Sequence, residues 1–371
     1  MLKKYIDKDN KFYELFDYNT GFYVRSGMLE DGKDTGVDPF MRNFPGLIDV
    51  GIMGHCTHGL SGFCRETGMQ CYQSGLSENR ENMSLENFKN IVDQCKGKVF
   101  QFALGGRGDV DQHEKCENIL AYCKENEIVP NFTTSGYGLT HHVANMLDKY
   151  VGAVAVSWYR TEYTNRAIEM LINAGIKTNI HYVLGNNTIE EAINKLNDDS
   201  FPEGINAVIF LLHKPKGLGT VENTLKSTST HVQRFFELVD RKRFKFKIGF
   251  DSCSCAGIIN FTSNINFDSV DYCEGARFSC YIDALMNMMP CSFALGDKKW
   301  QVSLNHFSIK EAWNSNVFTG FRNLLANACS KCNCRQYCGG GCPLYPEVTL
   351  CIRTERTTNI NKTKNDFYKV G

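Results

Sequence analysis

The chain carries no excess charge of either sign: 41 Lys and Arg balance 41 Asp and Glu over 371 residues. Proteins that grip nucleic acid or an anionic membrane favour a basic surplus, so neither partner is expected. Long hydrophobic runs are missing too. The longest strand-like run, Ala207 to Leu212, has six residues, against the ~18 of a membrane span. The first residues, MLKKYIDKDNKFYELF, lack the apolar stretch of a secretion signal, and a cytoplasmic location is expected. A hydrophobic content of 42% with 12% aromatics excludes a disordered chain and suffices for a barrel-sized core plus a smaller unit.

Cysteine, by contrast, is abundant. Seventeen is a high and odd number for a cytosolic chain, which makes metal binding a better reading than a disulfide framework. Eleven lie between Cys253 and Cys351 and three between Cys56 and Cys71. Cys95, Cys116 and Cys123 sit at helical spacing among apolar residues and read as core packing.

From residue 46 to about 250, short β-rich runs (46–53, 98–104, 128–133, 152–158, 176–184 and 205–212) alternate with segments such as 85–95, 113–126 and 164–175. In the latter, apolar residues recur every three or four positions. Strands alternating with helices imply a parallel sheet under helices, and right-handed crossovers curl it into a partial (β/α)6 barrel of the TIM type, an α/β fold. Residues 1–45 fall outside the pattern and are expected to cover one edge. Residues 251–351, rich in Cys, Gly and Met, read as a second, metal-organised domain, and 352–371 as a polar, loosely ordered tail.

Two cysteine clusters carry the chemistry. Directly after the first strand, HCTHGLSGFCRETGMQC spaces Cys56, Cys64 and Cys71 as C-x7-C-x6-C. Loops at strand C-termini build the active sites of parallel barrels. Three thiolates there can hold three irons of a [4Fe-4S] cluster and leave the fourth open; a zinc site completed by His55 or His58 is the alternative. Near the C-terminus Cys329, Cys332, Cys338 and Cys342 follow C-x2-C-x5-C-x3-C, with Gly339, Gly340 and Gly341 filling the last spacer and Cys351 beyond. Thiols spaced so tightly among glycines read as metal ligands.

The first loop and its position make the chain similar to the radical S-adenosylmethionine (SAM) superfamily, although that family's usual spacing is C-x3-C-x2-C and the aromatic here, Tyr72, follows the last cysteine. The resemblance implies that GGRGD (Gly105 to Asp109) stands where Gly105 and Gly106 bind the SAM amino group, with Arg107 in place of a glutamate. It implies a polar turn at Thr133 to Gly136, a ribose contact at Ser157, and a carboxylate contact at Arg160 or Arg166. Each segment taken alone also reads as an ordinary strand-end turn. The second cluster resembles the SPASM domain, the auxiliary-cluster extension of radical SAM peptide maturases. That resemblance implies one auxiliary [4Fe-4S] cluster on Cys329, Cys332, Cys338 and Cys351, and another on Cys342 with Cys253, Cys273 and Cys291. Cys255, Cys280 and Cys334 are then spare.

Three [4Fe-4S] clusters and SAM are therefore the expected cofactors, with a flavodoxin- or ferredoxin-type reductant. The group it most resembles acts on Cys-rich or CXXX-repeat precursor peptides. The implied function is hydrogen abstraction by a 5′-deoxyadenosyl radical, forming a thioether cross-link within such a peptide. Carbon–carbon cross-linking and formylglycine formation are the alternatives within the family. A non-catalytic iron–sulfur electron carrier or a zinc-stapled binding protein are those outside it.

Overall fold

The computed structural model describes residues 1–74, 80–266 and 269–352. The chain opens with an antiparallel sheet of β1 (Leu2–Asp7), β2 (Phe12–Asp17) and β3 (Tyr23–Arg25), then a small hairpin of β4 (Leu29–Glu30) and β5 (Lys33–Asp34). Strand β6 (Leu47–Met53) leads into two short helices, α1 (Thr57–Ser61) and α2 (Phe63–Glu66). There follow α3 (Leu85–Cys95), β7 (Gln101–Gly106), α4 (Cys116–Glu125), β8 (Val129–Thr134), α5 (His141–Leu147), β9 (Ala153–Ser157) and α6 (Glu162–Asn173). The barrel region ends with β10 (Thr178–Leu184), α7 (Ile189–Asn197), β11 (Ala207–Leu212), α8 (Thr230–Arg241) and β12 (Lys247–Phe250). Beyond it lie α9 (Cys255–Phe261), β13 (Ser279–Ile282), β14 (Asn287–Met289), β15 (Val302–Ser303), α10 (Ile309–Trp313), α11 (Asn316–Asn327) and α12 (Arg335–Cys338).

The helices begin where short polar side chains can satisfy their first amides. Ser84, Thr140 and Thr161 each accept a hydrogen bond from the backbone amide three residues on. All six expected strands form, and they run parallel in chain order from β6 to β11. A seventh, β12, adds to β11. Its four residues, KIGF, follow the basic stretch RKRFKF, too short a run to read as barrel strand. The sheet does not stop at residue 251. β13 pairs parallel with β6 on the opposite side, and β14 and β15 extend it antiparallel, giving ten strands in one sheet.

The strands are less uniformly apolar inside than their sequence runs suggest. Phe102, Leu104, Phe132, Val154, Val156, Ile180, Tyr182, Val208 and Phe210 are buried under the helices. Their alternates Gln101, Ala103, Gly105, Asn131, Thr133, Ser157, Asn179 and His181 are only partly covered, because they face a hollow lumen. A cavity of about 410 Å³ at its lower end is lined by Gln101, Asn131, Thr133, Asn179 and His181 and by Phe16 and Tyr18 of the N-terminal sheet. That sheet seals the N-terminal ends of the strands: Phe16 stacks on Phe100 at 5.4 Å, Lys3 pairs with Glu127, and Lys177 donates to the Thr20 carbonyl. Among the described residues no helix is long and apolar enough to cross a membrane. The tail expected at 352–371 lies, except for Ile352, outside the described residues.

Candidate functional site

None of the seventeen cysteines is in a disulfide. The first three converge after β6. Cys56 caps α1, its sulfur accepting from the Gly59 amide at 3.0 Å; Gly62, at φ +82°, turns the chain into α2, which carries Cys64. Cys71 is anchored through its carbonyl to the Leu218 amide at 2.9 Å, tying the loop to the segment after β11. Cys56, Cys64 and Cys71 are electrostatic neighbours. Burial pushes the Cys56 thiol up to about 12, further raised by Asp109 and the other two thiols. Such thiols ionise only beside a strong positive charge, which a bound metal provides.

His58, a candidate zinc ligand, is instead caged by tyrosines. Its ring stacks on Tyr137 at 5.0 Å, meets Tyr159 at 4.8 Å, and its Nε2 lies 2.7 Å from the Tyr163 hydroxyl. Burial lowers its pKa to about 4, so the ring is neutral.

At the end of β7 the two glycines differ. A Cβ on Gly105 meets nothing within 4 Å, leaving open lumen, whereas Gly106 sits at φ +118° with a Cβ position 2.9 Å from the Met53 carbonyl oxygen. Gly106 serves the packing of β7 on β6. Gly108 has the same duty toward the cysteine loop, its Cβ position lying 2.2 Å from the His55 carbonyl oxygen. Asp109 accepts from the Ser135 amide (2.6 Å) and hydroxyl (2.5 Å), joining GGRGD to the polar turn after β8; burial raises its pKa to about 7, with Asp111 adding to the rise. Ser157 ends β9 on the lumen face. Arg160, at φ +64°, is engaged elsewhere: Nε pairs with Glu191 of α7 at 2.5 Å, and the other nitrogens reach the Trp158 carbonyl and the Tyr182 hydroxyl. Arg166 is exposed on α6.

The C-terminal thiols fall into two further neighbourhoods. Cys342 lies beside Cys253, an interaction that raises Cys253 and lowers Cys342, and Cys273 and Cys291 are the electrostatic neighbours of Cys253. Cys338, raised by burial to about 11, has Cys351, Cys332 and Cys329 beside it. Between Cys338 and Cys342 the chain runs through Gly339, Gly340 and Gly341 at φ +58°, +83° and +88°. Cβ atoms there would lie 2.1 Å from the Tyr272 ring, 2.4 Å from the Ala328 methyl and 2.3 Å from the Thr349 hydroxyl. No side chain fits this turn, and it delivers adjacent cysteines to different neighbourhoods. Cys255 is buried, its thiol donating to the Tyr337 carbonyl at 3.1 Å; Cys280 is in the core of β13; Cys95 and Cys123 are wholly buried, and Cys116 nearly so.

No family model matches the sequence. The chain is 24% identical over 341 residues to the mycofactocin maturase MftC of Mycolicibacterium smegmatis, 83% of each chain being covered. SuiB of Streptococcus suis, solved with S-adenosylmethionine, shares the fold at a TM-score of 0.65 with 17% identity, covering 84% of this chain and 78% of that one. The structure of anSMEcpe with bound AdoMet and Cp18Cys peptide aligns at 0.56 with 16% identity, over 80% and 89% of the two chains. In sequence and in fold the chain is thus similar to radical SAM peptide maturases.

The residues present in this chain fit the cofactors of that group. Among the described residues no three of His, Cys, Asp and Glu converge on a point that one metal ion would fill. Thiols grouped in threes and fours match the all-cysteine ligation of iron–sulfur clusters. The open space at Gly105 lies on the same lumen face as Ser157. Sequence reasoning missed the tyrosines around His58, and it missed Lys214, although a lysine two residues past a barrel strand is a visible signal. Lys214 Nζ is buried, donates to Asp251 at 3.0 Å and to the Leu212 carbonyl at 3.1 Å, and lies 4.2 Å from the Phe293 ring. Phe293 also meets Tyr72 at 4.6 Å. One aromatic ring thus links the Cys71 loop to the Cys253 neighbourhood.

Proposed function

We propose that this enzyme matures a ribosomally made, Cys-rich peptide by forming an intramolecular thioether. Cys56, Cys64 and Cys71 would hold the [4Fe-4S] cluster that meets SAM. Cys253, Cys273, Cys291 and Cys342 would hold one auxiliary cluster, and Cys329, Cys332, Cys338 and Cys351 the other. The observation that carries the reading is the sorting of eleven thiols into neighbourhoods of three, four and four, with Cys342 separated from its sequence neighbours. When bound, these groups supply one-electron cleavage of SAM, hydrogen abstraction and an acceptor for the electron left over.

The chain's own residues do the positioning. Gly105 leaves lumen space for the methionine end of SAM, and Ser157 offers a hydroxyl to its ribose. Arg160, paired with Glu191, reaches the SAM carboxylate only if that pair opens. The N-terminal sheet closes the lower end of the lumen, which excludes bulk water from that side. A cytoplasmic flavodoxin or ferredoxin would deliver the electron. SuiB has been solved with its precursor peptide SuiA, and a peptide is the substrate class proposed for this chain as well.

The test is anaerobic reconstitution followed by incubation with SAM, a reductant and a candidate Cys-rich peptide. About twelve irons per chain, 5′-deoxyadenosine, and a peptide lighter by two hydrogens with one thiol fewer are expected. A lighter peptide that keeps all its thiols replaces the thioether with a carbon–carbon link.

A further inference from the structure

Strand β12 ends the ten-stranded sheet. Lys247 and Asp251 donate their amides to the Asn206 and Phe210 carbonyls of the β11 side. In a parallel ladder alternate residues point their backbone groups the same way, so Phe246, Ile248 and Phe250 present theirs to the outer edge. None of these three has a backbone partner there among the described residues. The side chains alternate as well. Phe246 and Phe250 lie on the helix face, 5.6 Å from Phe201 and 5.8 Å from Phe236. Phe246, Ile248 and Phe250, with Val239, Ile258 and Val270, floor a cavity of about 390 Å³ beside the strand. That volume is in the range of a real binding cleft. Lys245 and Lys247 on the other flank, and Arg243 at the cavity itself, are exposed, and none has an ion pair among the described residues. Asp271, at the rim, is already paired with Arg25 at 2.6 Å.

We infer that this edge docks an extended, acidic segment of the peptide substrate as an added strand. The inference rests on the reading that the substrate is a peptide. Pairing with the free groups of residues 246, 248 and 250 gives affinity without sequence preference, and the two flanks give selectivity. Every second side chain of the added strand faces the apolar floor, and the intervening ones face the cations, so the pattern recognised alternates apolar and acidic residues. Without a partner the same lysines act as guards that keep a bare edge from pairing with another copy.

The probe is a fluorescein-labelled octapeptide of alternating Glu and Val, with binding followed by anisotropy on the cluster-loaded enzyme. Saturable binding that weakens in high salt is expected. Methylating alternate amide nitrogens of the probe leaves its charge and side chains but removes its pairing edge, and should weaken binding at least about tenfold. The triple variant Arg243→Glu, Lys245→Glu and Lys247→Glu should bind at least about tenfold more weakly, and should regain binding for a Lys/Val probe. Its SAM cleavage in the absence of peptide should match the parent, since these residues lie outside the cysteine loops. Failure of the wild type to bind, or equal binding by the methylated probe, overturns the docking edge. Absence of SAM cleavage in the parent overturns the enzyme reading instead, whatever the probe does.

Discussion

Gly105 and Gly106 are adjacent in sequence, yet their replacement by alanine should act in opposite directions. At Gly106 the backbone sits at φ +118°, and a Cβ would come within 2.9 Å of the Met53 oxygen and 3.0 Å of the Gly51 Cα. Forcing an alanine into that conformation costs roughly 1–3 kcal/mol. Displacing the β6 backbone costs another ~1–3 kcal/mol, since the clash is with main chain and not with a side-chain tip. At Gly105 a Cβ meets nothing and φ is not positive, so Gly105→Ala should stabilise the strand by ~0.5–1 kcal/mol. Unfolding entropy of about 2 cal/mol/K per residue over this chain means that ~0.8 kcal/mol shifts the melting temperature by ~1 °C. Gly106→Ala should therefore melt ~3–8 °C lower, and Gly105→Ala level with or up to ~1 °C above the parent. The assay is calorimetry of the cluster-loaded enzyme alongside SAM binding. Gly105→Ala should weaken SAM, because its methyl occupies the open lumen. Equal melting of the two variants would refute the assignment of one glycine to packing and the other to ligand space.

Replacing Cys56, Cys64 and Cys71 together with Ala should abolish 5′-deoxyadenosine formation while about eight irons remain, measured by iron assay and chromatography. Cys342→Ala and Cys291→Ala should perturb the same cluster in electron paramagnetic resonance, and Cys351→Ala the other; an unchanged spectrum in Cys351→Ala would sink the crossed assignment. Lys214→Met strands Asp251 beside the Leu212 amide and should cost ~3–5 kcal/mol, read by denaturant unfolding, with Lys214→Met/Asp251→Leu recovering part of it. His181, held neutral by burial at about 4 against an ordinary 6.5, binds fewer protons folded than unfolded. Its contribution is complete above about pH 6.5 and falls away as pH drops toward 4, so His181→Asn should flatten the loss of stability across that window.

The parallel order of the barrel was legible because each strand is an apolar run bounded by helical periodicity, as Ala207–Leu212 is. The hollow lumen was not. A run such as QFALGG looks continuous, and only the pleat assigns Phe102 and Leu104 to the helix layer and Gln101, Ala103 and Gly105 to the interior. Spacing located the cysteine clusters, but no spacing rule reveals that Arg160 is spoken for, since Glu191 lies thirty-one residues away and meets it only through the β9–β10 register. The same holds for Gly106, whose need for a missing Cβ comes from a neighbouring strand. Residues 1–45 read as an edge cover by exclusion; their aromatic residues gave no sign that Phe16 would close the lower end of the barrel.

The C-terminal thiols also bear on how an array of eight parallel strands, β6 to β12 with β13, is held at its open side. Backbone pairing leaves a gap between β12 on one side and β13 on the other, since each has a single parallel neighbour in the array. Cys253 follows β12, whereas Cys273 and Cys291 flank the β13–β14 hairpin, and Cys342 arrives from the glycine turn. These four thiols are neighbours, so the Cys253 neighbourhood joins the segment after β12 to the β13–β14 hairpin. A covalent cluster at that point would tie the two segments together, closing a loop whose ends are otherwise joined through the parallel strands, and long loops gain most from such a tie. The same tie sits behind Phe293, against which Tyr72 of the SAM-loop side packs. A cluster held there would join the segment after β12 to the β13–β14 hairpin, and the glycine turn that separates Cys342 from Cys338 brings the fourth thiol to that group.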